Sequence, residues 1–269
     1  MATLVDDVEI GLFDGPTGQA RLTLKVPIDP KRDFVTVVTY SPDGRLVSAG
    51  NFLGEIVLWD AVAGLHRATL PAHIIPAHTE GRDERQVRAR PAGIVDLTFS
   101  PDGSTLVSDD TTAVCFWDVA TGKAKVGAPV IDGRGSLAFS HDGKMLAVAD
   151  SSPRVEEGFR YPIRLWDMAT GRKRVEMAAG AAVSGAAFLP GGRSLVTLEG
   201  GQVVRLWDAE SGRPLAGLRF EHHCVAEALA VSPDGRLIAA GGFSSAEIFG
   251  IIQLVEVDGA NLRPYKPRP

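Results

Sequence analysis

All four tryptophans of the chain are followed by aspartate, and each pair occupies the same place in a recurring pattern: Trp59-Asp60, Trp117-Asp118, Trp166-Asp167 and Trp207-Asp208. Ahead of each lies a turn signal, SPDG at 41–44, SPDG at 100–103, SHDG at 140–143 and LPGG at 189–192. A fifth, SPDG at 232–235, leads to a weaker close in Leu254-Val255-Glu256. Successive turns begin 59, 40, 49 and 43 residues apart. Self-similarity at such a period marks one supersecondary unit stacked end to end, which removes most fold classes at once.

Residues 94–122 show what the unit is. Ile94 to Ser100 is a short, mostly apolar run, the pattern of a strand buried on both faces. Pro101-Asp102-Gly103 supplies turn chemistry, with proline presetting φ and glycine accepting a positive one. Thr105 to Ser108 and Ala113 to Trp117 read as the next two strands, and Asp118 with Thr121-Gly122 opens another turn.

Five such units, four of them with Trp-Asp closing the third strand, resemble the WD-repeat β-propeller family, in a divergent, bacterial-type form. The resemblance covers nearly the whole chain. It implies an all-β fold of four-stranded antiparallel blades around a central channel, as a single domain over 1–269. A sheet that is apolar on both faces cannot bury both alone, so stability is expected to belong to the stack. The full blades fall at 34–70, 94–130, 134–178, 183–220 and 225–266. Residues 1–33 form a partial N-terminal blade, in which Val8 to Asp14 matches a third strand and Ala20 to Val26 a fourth, with the two inner strands absent. Five blades and half a sixth fit a truncated product, part of a longer propeller or a small ring. An open ring would expose apolar blade faces and invite self-association.

The family also implies a Trp–Ser–His–Asp hydrogen-bond set. Ser48 with Trp59 and Ser108 with Trp117 match by position, and the histidines would be His73 and His222. Leu53, Thr111 and Gly201 stand where the aspartate belongs, so the complete set is expected to be missing and the blades to rely on apolar stacking. Arginines beside tryptophan, Arg164 and Arg205, are expected to lay their stems on the ring with the head in water.

Net charge is −5 at pH 7, which argues against sequence-independent nucleic-acid binding. No apolar run reaches the ~18 residues of a membrane helix, and MATLVDDVEI is not built as a signal peptide. Cys115 and Cys224 fall in different units, so a reduced, cytoplasmic protein is the expectation.

Three expansions break the pattern: 71–93 between the first two full blades, 150–162 in the third and 241–250 in the fifth. In a four-stranded meander these connections leave from one face, and only tight turns occupy the other. The loop-expanded face is therefore the expected partner-binding surface of a non-catalytic protein-interaction scaffold. Arg82, Arg85, Arg88, Arg154, Phe159, Arg160 and Phe243 are its candidate contacts, since arginine and aromatic side chains dominate interface hot spots.

The alternative is a propeller hydrolase or lactonase with a metal in the channel. Asp33, Asp96 and Glu227, with Ser136 and Ser184, are the candidates, but they fall at different offsets from their turns and make no ring. His222-His223-Cys224 and His73 with His78 lack the spacing of a zinc site. No phosphate loop or serine elbow occurs, and neither metal nor cofactor is expected.

Overall fold

The computed structural model describes residues 2–265 apart from 7–8, 15–16, 30, 32, 72–92, 111–112, 130, 132–134, 152–160, 221–223 and 245–249. It divides into two compact units, Met1–Val126 and Gly127–Pro269, and every described element is a strand.

The first unit holds three antiparallel sheets. One has three strands, β1 (Ala2–Asp6), β2 (Glu9–Phe13) and β3 (Ala20–Lys25). The next comprises β4 (Val35–Tyr40), β5 (Leu46–Asn51), β6 (Ile56–Asp60) and β7 (His66–Leu70). The last comprises β8 (Asp96–Phe99), β9 (Thr105–Asp109), β10 (Val114–Asp118) and β11 (Lys123–Ala124). The second unit holds three four-stranded sheets: β12 (Gly135–Phe139) to β15 (Arg172–Ala179) through β13 (Met145–Asp150) and β14 (Tyr161–Asp167); β16 (Val183–Phe188) to β19 (Pro214–Arg219) through β17 (Ser194–Glu199) and β18 (Val203–Asp208); and β20 (Cys224–Val231) to β23 (Asn261–Pro264) through β21 (Leu237–Ser244) and β22 (Gly250–Asp258). These are the five full blades and the partial one.

The partial blade is larger than expected. Ala2–Asp6 pairs with β2, Ala2 opposite Leu12 and Leu4 opposite Ile10, so one of the two strands read as absent is present. The fifth blade also differs: β21 and β22 continue as a hairpin to Ser244 and from Gly250, leaving 245–249 of the expected 241–250 expansion outside the described strands.

The turns explain why the pattern recurs. In each SxDG turn the serine hydroxyl donates to the aspartate, as Ser41 to Asp43 at 2.6 Å and Ser140 to Asp142 at 2.7 Å. The same oxygen accepts the N–H that starts strand two, from Leu46 and Met145 at 2.9 Å. The closing glycine sits at φ near +70° in all five turns, LPGG included, a conformation other residues adopt only with strain. The aspartate after tryptophan is likewise a turn former. Asp118 accepts from the Thr121 N–H and hydroxyl at 2.8 and 2.7 Å, and Asp14, Asp60, Asp167 and Asp208 do the same work. Such side-chain acceptors mimic a backbone turn.

Within each unit one blade's third strand packs on the face of the next that carries the tryptophan, or Val255 in the fifth full blade. Ile10 and Leu12 pack with Val47, Val57 and Trp59; Ile56 and Leu58 with Ile94, Phe99 and Trp117; Ile163 and Leu165 with Val183, Leu195 and Trp207; Val204 and Leu206 with Ala226, Ile238 and Val255. Each fully buried leucine or isoleucine contributes about 1.5–3 kcal/mol.

Hydrogen bonds from the indoles depend on register. Trp117 Nε1 donates to Ser108 at 2.9 Å and Trp207 Nε1 to Thr197 at 2.8 Å. Ser48 does not match: it pairs with Leu58 on the other side of the sheet from Trp59, and its buried hydroxyl has no partner. Counted from the turn glycine, Ser108 and Thr197 are fifth, whereas Ser48 is fourth and Ala49 fifth. Val148 holds that fifth place in the third full blade, and Trp166 Nε1 is buried without a partner. The fourth full blade carries a network of its own. The Thr197 hydroxyl donates to Glu199 at 3.3 Å, Arg205 donates to the same oxygen at 2.7 Å, and the Arg205 guanidinium lies 5.6 Å from the centroid of the Trp207 ring. In this blade a polar network thus stands beside the apolar stacking. Arg164 is also not as expected: it is 4% exposed, its head held by Asp150 at 3.1 Å and Glu176 at 3.4 Å rather than by water. Burial of that charge is sustained by the two carboxylates.

Candidate interaction surface

Arg82, Arg85, Arg88, Arg154, Phe159 and Arg160 lie outside the described residues, and the side chain of Phe243 does too, although its backbone runs in β21 opposite Val225 and Gly250. What the described residues hold at the same end of the first full blade is an exposed aromatic pair absent from the sequence reading. Phe34, at the entry to β4, and Phe52, in the turn after β5, stack with ring centroids 5.1 Å apart and planes at 17°. They are 43% and 50% exposed.

The backbone beneath them is pinned. Phe52 N–H donates to the Phe34 carbonyl at 2.9 Å. The Asp33 carboxylate, buried, accepts from Phe34 N–H at 2.9 Å and Leu53 N–H at 3.2 Å. Ile94 N–H donates to the Asn51 carbonyl at 3.0 Å, and the Thr36 hydroxyl donates to the Ile94 and Gly50 carbonyls. Gly93 fits only because it has no side chain: a Cβ there would stand 2.8 Å from the Phe52 carbonyl oxygen. Val95, half-exposed, follows on the same segment. Two stacked rings on a backbone this constrained form a preorganised apolar anchor. A phenylalanine directly before a strand and another inside a tight turn were the available signal.

The channel candidates are engaged in holding backbone. Asp33 braces the phenylalanines, and Asp96 accepts from Leu97 N–H at 2.7 Å. Ser136 accepts from Ala186 N–H at 3.0 Å, and Ser184 donates to the Ala226 carbonyl at 3.5 Å, each bridging one blade to the next. Glu227 is exposed on a bulge of β20. Among the described residues no group of three or more histidine, cysteine or acidic side chains is arranged to hold a metal.

The perturbed acids lie at the opposite ends of the blades. Serine hydroxyls hold the carboxyls of Asp43, Asp102, Asp142 and Asp234 below the ordinary value. Hydroxyls and turn N–H groups do so for Asp14, Asp60, Asp118, Asp167 and Asp208. In each the leading cause is a turn hydrogen bond that favours the charged form. None is a sign of acid–base chemistry.

No family model matches the chain. It is 28% identical over 212 residues to telomerase protein component 1 of Rattus norvegicus, 29% identical over 124 residues to small ribosomal subunit protein RACK1 of Caenorhabditis elegans, and 32% identical over 124 residues to WD repeat-containing protein 70 of Xenopus tropicalis. These alignments take in 77%, 42% and 46% of this chain but 7%, 33% and 19% of the relatives, so the chain spans a third or less of the length of each. A chain in the crystal structure of the mitotic checkpoint complex is alike in fold, with a TM-score of 0.74 at 17% identity, over 98% of this chain and 72% of that one. Its repeats and these likenesses make the chain similar to WD-repeat proteins, and its sheets have the fold of β-propeller blades.

Proposed function

We propose that the chain is a non-catalytic scaffold that captures a protein partner at the blade ends where strands two and three are joined, with Phe34 and Phe52 as the anchor. The observation that carries the reading is the stacked, half-exposed pair on a braced backbone. Aromatic anchors on rigid elements are what dominates the binding energy of interfaces. β7 ends at Leu70, opposite Ile56, at this same end of the blade, and the connection 71–93 with its arginines begins there. A fold relative found in a named multiprotein assembly is in keeping with this role.

Affinity capture with quantitative mass spectrometry tests it, using the wild-type chain, Phe34→Ala/Phe52→Ala, and a chain lacking 78–90. A polypeptide captured by wild type and reduced about tenfold or more by the double substitution is the expected result, a loss on the scale of a hot spot. Capture unchanged in both variants would place the binding surface elsewhere.

A further inference from the structure

The third-strand positions Ile56 and Leu58, Ile163 and Leu165, and Val204 and Leu206 are all buried under the following blade. Each of these residues pairs with the sixth or fourth residue after its turn glycine, and in the last sheet the same partners, Gly241 and Ala239, face Ile252 and Leu254. They are 72% and 39% exposed. The glycine beneath gives the same contrast. A Cβ on Gly50 would lie 2.5 Å from Ile94 of the covering blade, whereas one on Gly241, at the equivalent place, meets nothing within 4 Å.

This open face has relief. Two rows cross it: Ala228, Gly241 and Ile252, then Ala230, Ala239 and Leu254. The small residues of β20 and β21 make a floor, and the two branched side chains of β22 make a ridge beside it. At the margin Arg263 pairs with Glu256 at 3.0 Å and Asp258 at 3.7 Å.

We propose that this face binds the same face of a second copy of the chain. A two-fold axis parallel to the strands, between β21 and β22, lays the ridge of each copy over the floor of the other. Two features favour that occupant. The stack already covers this position with a β-sheet in the blades of each unit that have a successor. The ridge and floor are self-complementary in size. An isologous contact of this kind closes at two.

Light scattering after size exclusion, over a hundredfold concentration range, tests the proposal on the full chain. Wild type is expected to reach a plateau at twice the 28.5 kDa chain mass. Ile252→Asp/Leu254→Asp is expected to stay at the single-chain mass, with unchanged circular dichroism and melting temperature. Gly241→Phe, which fills the floor without touching the monomer's own packing, should weaken the dimer at least tenfold. A wild type that is monomeric throughout overturns the proposal. So does a dimer that survives both variants, or a mass that climbs without a plateau, which would mean end-to-end stacking instead.

Discussion

A single hydroxyl separates satisfied from unsatisfied tryptophans in these blades. Trp207 finds Thr197, while Trp166 finds Val148 at the corresponding place and leaves its indole N–H buried and unpaired. Leaving such a donor without a partner costs about 1–3 kcal/mol. Thr197→Val is therefore expected to destabilise by roughly that amount, more so because it also frees Glu199. Val148→Thr is expected to stabilise by about 1 kcal/mol. Denaturant melts of the two variants, read for opposite signs, check the register argument. The sequence contains this information, but only when positions are counted from the turn glycine. Counted by likeness of neighbouring residues, Ser48 looks equivalent to Ser108 although it faces the other side of its sheet.

At the scale of the element, turn chemistry defines the blade. Nine aspartates sit at strand ends with carboxyls held below the ordinary value of 3.8 by turn hydrogen bonds. A carboxyl depressed by folding adds stability that is fully present above the unfolded value and is lost as pH falls through the folded one. Thermal stability is thus expected to hold near neutrality and to decline from about pH 4 downward. Removing the hydroxyls at Ser140 and Ser232 should make that acid limb shallower, which melts across pH 2–7 would reveal. These turns are why the strands were legible: serine, aspartate and glycine at fixed offsets act locally, and their signal survives in one sequence. The strand Ala2–Asp6 was not legible, because no turn signal of this kind precedes it. Its five residues become a strand by pairing with β2. The stacked phenylalanines were hidden for a related reason. Whether an aromatic side chain is covered depends on the neighbouring segments, here Asp33, Gly93 and Ile94, and not on its own surroundings in the chain.

At the larger scale, within each compact unit a blade depends on the one that follows to cover its third strand. Gly50→Ala pushes a methyl group into Ile94, whose β-branched side chain cannot swing away, and should cost about 1–3 kcal/mol as overpacking. Gly241→Ala at the equivalent position meets open space and should change stability by less than about 0.5 kcal/mol. Comparing the two midpoints separates a covered blade face from an open one without reference to any partner. The same dependence has a consequence for synthesis. A ribosome releases the chain from its N-terminus, so within each compact unit a newly completed blade waits with its apolar third-strand ridge bare until the next blade emerges and covers it. Ile56 with Leu58 and Ile163 with Leu165 are such ridges, each buried once the following blade is in place. A chaperone that recognises a narrow apolar ridge on a flat sheet could therefore attend the chain through one recurring contact, moving outward a blade at a time.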